Sequence, residues 1–163
     1  MAAMPALLTA TFLAYAPGIN GPFLLDDHLN IDRLETQTLN WSTLRPMILT
    51  GDRVGGLSRA LSRLTLALTL HGSGSHPPMF KYQNLMLHLA NGLLIVWFAA
   101  LVFSATGSRL ESVTRVYLPA LGIAAIWLLH PLQVSTVLYA VQRMVILSAF
   151  FLCSRSVCTW RGD

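Results

Sequence analysis

The chain has 163 residues, of which 54% are hydrophobic and 11% charged, and its mean hydropathy is +0.57. That balance leaves too little polar surface to coat a soluble globule of this size and predicts an all-α integral membrane protein. The formal charge of +4 argues for anionic lipids rather than nucleic acid, because the basic residues are scattered singly and form no stripe or run.

Taken in chain order, residues 1–25 read as a first membrane helix. Met1 to Ala16 is apolar and, at about 1.5 Å per residue, reaches about 24 Å, short of the ~30 Å hydrocarbon core, so a span needs the extension to Leu25. The alternative is a signal peptide cut after Ala14-Tyr15-Ala16. It lacks a basic leading region, and Pro17 would follow the cut.

Residues 26–82 read as a long polar loop outside the membrane, punctuated by Gly51, Gly55, Gly56, Gly72, Gly74, Pro77 and Pro78. Within it, Leu57 to Leu70 places Leu57, Leu61, Leu64 and Leu68 on one helical face with Arg59 and Arg63 off it. This is the pattern of a helix lying in the membrane interface. Residues 83–104 form the clearest span, uncharged throughout. A connection follows at 105–116. Residues 117–153 then hold a third and a fourth membrane helix, separated by the His130-Pro131 turn, where proline removes a backbone donor. Arg143 lies inside the fourth apolar stretch, Leu138 to Cys153, and residues 154–163 form a tail. About four membrane helices and one large loop with interfacial helices are thus expected.

Orientation follows from the short connections, which the positive-inside rule governs better than long loops. Arg109 and Arg115 place 105–116 in the cytoplasm, and Arg155 and Arg161 place the tail there. The long loop is then extracytoplasmic, although its six basic residues against five acidic ones pull the other way.

The adjacent carboxylates Asp26 and Asp27 follow the first apolar run directly. Lowered dielectric and mutual repulsion suit such a pair to general-base work or to a divalent metal, while a plain helix stop is the competing reading. Arg143 could grip a phosphate through its planar fork or snorkel to the outer interface with Gln142. Asn84, His88 and Asn91 share one face of the second span, a spacing that suits polar helix packing. Cys153 and Cys158 match no redox or zinc spacing, and His71 and His76 have no companion ligands. Asn40-Trp41-Ser42 has the form of a glycosylation acceptor, and Arg161-Gly162-Asp163 that of an adhesion tripeptide on the wrong side of the membrane.

In order along the chain, Phe23-Leu-Leu-Asp-Asp27, Arg59-Ala-Leu-Ser-Arg-Leu-Thr-Leu-Ala-Leu68, Phe80-Lys-Tyr-Gln-Asn84, Leu87-His88 with Asn91, His130-Pro131 and Gln142-Arg143 resemble the N-terminal part of polytopic GT-C class glycosyltransferases. The resemblance is to the members that carry tetratricopeptide repeats after the membrane domain, relatives of the protein O-mannosyltransferases. It implies a sugar donor on a polyprenyl phosphate, an extracytoplasmic active site in a bacterial inner membrane, and a catalytic carboxylate, Asp26 or Asp27. Asp27 is favoured as lying farther from the apolar run, toward the aqueous side. Arg59, His88, His130 and Arg143 become the candidate substrate-binding residues. No cofactor is required, although a divalent metal at Asp26 and Asp27 is compatible with the residues. The chain departs from the family pattern at Ala60, where proline is usual, and in its length, so a truncated chain, inactive by itself, is expected. The competing classes are a small structural or assembly membrane protein and a transporter fragment with Arg143 and His88 along a polar path.

Overall fold

A computed structural model describes residues 2–35, 40, 42, 60–105 and 113–162, and every element among them is helical. Helix α1 (Ala3–Ile19) contains Pro17 in its last turn and ends there. The expected extension to Leu25 does not form. Gly21 and Pro22 follow, the second without a backbone donor, and the chain reverses through Leu25, whose φ of 48° is left-handed. Helix α2 (Asp26–Glu35) begins directly after it, with Asp26 and Asp27 in a first turn where carboxylates oppose the positive end of the helix dipole.

Helix α3 (Ala60–Ser73) occupies most of the stretch expected to lie in the interface; Leu57 and Arg59 lie outside the described residues. Its buried face is Ala60, Ser62, Leu66, Ala67 and Thr69, while Leu61 and Leu68 point outward. Two of the leucines of the expected stripe therefore face away from the protein, and Leu64 is half-buried. Helix α4 (Pro77–Ala105) is 29 residues long, about 43 Å. It starts six residues before the expected span because Pro77 is preorganised for a first helical turn. Helix α5 (Val113–Leu128) stops before His130-Pro131, as its sequence implies.

The fourth apolar stretch is divided rather than continuous. Helix α6 (Gln133–Leu138) ends at Tyr139, which is extended with φ −94° and ψ 126°. A 3-10 turn (Ala140–Gln142) follows, then helix α7 (Arg143–Gly162), which runs on through the expected tail. Arg143 thus opens a helix instead of lying within one.

Helix α4 is the central strut, packed against α1, α3, α5, α6 and α7. Its contact with α5 uses small residues: Ala99 and Ala100 meet Ala120 and Ala124, and a β-carbon on Gly92 would come within 2.6 Å of Leu128 Cδ1. Close backbone approach through small side chains is how helices pack where apolar burial offers no preference for protein over lipid. A second cluster joins Tyr15, Leu85 and Val137, and a third joins Phe23, Ile31, Leu66, Phe80 and Ala140 where α2, α3, α4 and the 3-10 turn meet.

Two helical segments, Pro77–Ala105 and Ala140–Trp160, are long and apolar enough to cross a membrane, whereas α1 and Val116–Leu128 are apolar but shorter. Alongside the apolar clusters the interior holds several polar and charged side chains, and large apolar ones lie on the outside. Asp27, Lys81, Asn84, His88, Asn91 and Arg143 are buried, while Leu118, Ile126, Leu132 and Leu152 are 64–77% exposed. An outer surface this apolar suits lipid contact.

Candidate functional site

One face of α4 carries Lys81, Asn84, His88 and Asn91 at intervals of three, four and three residues, so all four point the same way. All are at most 1% exposed. Each reaches a backbone carbonyl of another part of the chain. Lys81 Nζ donates to the carbonyls of Gly21 and Pro22 at 2.9 Å and of Gly18 at 3.4 Å. Asn84 Nδ2 donates to Tyr139 O at 2.8 Å, His88 Nε2 to Leu128 O at 3.1 Å, and Asn91 Nδ2 to Ile146 O at 3.0 Å.

Three of these positions have one cause. Gly18 to Pro22, Leu128 and Tyr139 are where α1, α5 and α6 end, and helix ends leave carbonyls without intrahelical partners. Non-helical backbone is tolerated at membrane depth only where protein covers it. The polar stripe of α4 supplies the missing donors. Tyr15 adds its hydroxyl to Leu128 O at 3.2 Å, and Trp127 stacks on the His88 ring with centroids 4.5 Å apart.

Arg143 is held at the top of this stripe. Its Nε donates to Asn84 Oδ1 at 2.9 Å, Nη1 to Thr69 Oγ1 at 3.0 Å and to Thr65 O at 3.1 Å, and Nη2 to Phe80 O at 3.2 Å. The guanidinium carbon also lies 5.8 Å from the centre of the Phe80 ring. Four of the five guanidinium donors are therefore directed at protein atoms, and the side chain is 1% exposed. Arg143 ties α3, α4 and α7 together; it does not extend toward an interface.

The two aspartates part company. Asp27 is 1% exposed, with Oδ1 accepting Val141 N–H at 3.0 Å and Oδ2 accepting Ala140 N–H at 3.2 Å and Leu24 N–H at 3.4 Å. It thereby caps the 3-10 turn that leads into Arg143, and it lies within electrostatic reach of Lys81. Asp26 is exposed. The expectation that Asp27 is the member facing water is reversed: successive residues of a helix lie about 100° apart, and in the first turn of α2 it is the second carboxylate that points inward. The two carboxylates therefore face different surroundings, one open and one bonded to backbone N–H groups. Among the described residues, no three His, Cys, Asp or Glu side chains gather as a metal site.

Arg143 is thus bonded to Asn84, whereas His88, one turn further along the same face of α4, is held separately by Leu128, Tyr15 and Trp127. His130 is exposed on the turn after α5, where its Nδ1 accepts the Leu132 N–H at 3.2 Å. Arg59 lies outside the described residues. Sequence reasoning passed over Lys81, Thr65 and Thr69. Lys81 had a visible signal, since it extends the Asn84, His88, Asn91 spacing by one step toward the N-terminus. The threonines had none, because their role depends on where Arg143 arrives. Comparison with protein-family models, with characterised proteins and with solved structures finds no match to this chain.

Proposed function

We propose that the chain is a multi-pass part of an integral-membrane glycosyltransferase of the GT-C class, with α1, α4, α5 and α7 as its four membrane helices. It would transfer a sugar from a polyprenyl-phosphate donor to an acceptor hydroxyl at the extracytoplasmic face. The observation that carries this reading is the convergence of separated sequence elements. Phe23, Asp27, Phe80, Lys81, Asn84 and Arg143, from three of the stretches that resemble the family, meet in one network beneath the exposed Asp26.

In this reading Asp26 is the general base and Asp27 the residue that positions it. The Asp26 carboxylate takes the acceptor's hydroxyl proton, the oxygen bonds to the anomeric carbon, and the bond from that carbon to the phosphate oxygen breaks, releasing polyprenyl phosphate. Lys81, Asn84 and Arg143 hold the floor on which α2 rests. The reading is tested by donor binding to residues 1–163 in lipid nanodiscs. Polyprenyl-phosphate-linked mannose, glucose and galactose should compete with one another for a saturable site, and Asp26→Asn should leave that binding intact while lowering any transfer by roughly 10²- to 10⁴-fold. Binding no better than that of the uncharged polyprenyl alcohol would reject it.

A second reading, a structural or assembly membrane protein without catalysis, has one observation in its favour. The guanidinium of Arg143 directs four of its donors to protein atoms, as a packing residue does. In that case no phosphate-dependent donor binding is expected.

A further inference from the structure

We infer that His88 Nδ1 and Asn91 Oδ1 together hold one water molecule as a buried bridge inside the helical bundle. The protonation of both side chains follows from their other contacts. His88 Nε2 faces the Leu128 carbonyl at 3.1 Å; a carbonyl can only accept, so Nε2 carries the hydrogen and Nδ1 of the neutral ring presents a lone pair. Asn91 Nδ2 faces the Ile146 carbonyl at 3.0 Å, which fixes the amide orientation and makes Oδ1 an acceptor. Both residues are 0% exposed. Neither acceptor atom has a partner among the described residues.

Two buried acceptors, three residues apart on one helix face, are neighbours, and two hydrogen bonds of about 2.8 Å through a shared atom span a gap of up to about 5.6 Å. The occupant must donate twice. Water does so, and buried waters characteristically serve polar groups that protein atoms leave without partners. A lone hydroxyl would serve one acceptor only. A metal ion would want a third ligand, and no three-residue cluster of His, Cys, Asp or Glu exists among the described residues. A second proton on the ring would place a charge between Trp127, Tyr15 and the Leu128 carbonyl, with no carboxylate bonded to it among the described residues and Arg143 bonded to Asn84 one turn away. The bridge would join His88 to Asn91 and, through their bonds to Leu128 and Ile146, α5 to α7. This inference is independent of the transferase reading.

The test is solid-state NMR on the chain in lipid bilayers with nitrogen-15 in histidine and asparagine, His88 being assigned by its loss in His88→Phe. The neutral ring with hydrogen on Nε2 is expected, with magnetisation passing from water to His88 Nδ1 and to the Asn91 side chain. In Asn91→Leu the ring should keep its tautomer while the water signal at Nδ1 disappears. A hydrogen on Nδ1, a doubly protonated ring at neutral pH, or no water transfer in the unaltered chain would overturn the inference. These readings come from the unaltered protein and stand even if the Asn91 variant fails to fold.

Discussion

The carboxylate of Asp27 accepts the backbone N–H of Val141 at 3.0 Å across 114 residues of chain. This bond and its companion to Ala140 fasten the first turn of α2 to the turn that starts α7, so the neighbouring Asp26 and the buried Arg143 are set by the same joint. The consequence is a division of labour that substitution can expose.

Asp27→Asn keeps a single acceptor oxygen, turns an amide group toward a backbone N–H and removes the attraction to Lys81. It should lower stability by about 1.5–3 kcal/mol, the range for hydrogen bonds to a charged group. Asp26→Asn, at an exposed position, should stay within about 0.5 kcal/mol. Graded denaturation in detergent micelles followed by circular dichroism measures both. Equal losses would contradict the burial difference.

Much of this was legible in the sequence, though not the pairing. The stop at His130-Pro131 follows from proline's missing donor, the long apolar helix from an uncharged run, and the shared face of Asn84, His88 and Asn91 from the 3.6-residue period. The break at Tyr139 was not legible. Leu138 to Cys153 is apolar enough to read as one helix, and what divides it is tertiary: Asp27 takes the N–H groups of Ala140 and Val141, and Asn84 takes the carbonyl of Tyr139. The same contacts explain why Arg143 reads as an isolated charge in sequence and proves to be a helix-opening residue with four protein bonds. The reversal of Asp26 and Asp27 turns on which side of α2 packs against the 3-10 turn, which nothing in the dipeptide announces.

Arg143→Met removes the donors from Asn84, Thr69, Thr65 and Phe80 together. A loss of about 1–3 kcal/mol for each buried acceptor left without its donor is expected. Arg143→Lys should recover only part of it, since an ammonium cannot reproduce the planar fork. Full stability in the Met variant would show that the network contributes nothing.

Gly92→Ala should destabilise by about 1–3 kcal/mol, the cost of overpacking a close helix contact, because the new methyl group meets the fully buried Leu128. Combined with Leu128→Ala, the total should be smaller than the sum of the two single losses, the signature of neighbours sharing one space. Additive effects would place Gly92 elsewhere.

The topology expectation is testable independently of mechanism. Ser75 is exposed between α3 and α4. A cysteine placed there by Ser75→Cys should react with a membrane-impermeant maleimide from outside intact cells, whereas Ser108→Cys should react only after permeabilisation. The opposite pattern would put Asp26 on the cytoplasmic side and end the proposed acceptor chemistry.

The stripe along α4 also imposes an order in time. Lys81 finds its carbonyls in residues already synthesised, but Asn84, His88 and Asn91 must wait for Tyr139, Leu128 and Ile146. During synthesis α4 is therefore made with three amide or imidazole groups still without their carbonyl partners and open to any group that will accept them. Chains engineered to stop before residue 128 should be recognised as unfinished and degraded faster in a pulse-chase than chains that reach residue 146. Replacing Asn84, His88 and Asn91 with leucine in the shortened chain should remove that difference, because the waiting helix would then have nothing left to hide.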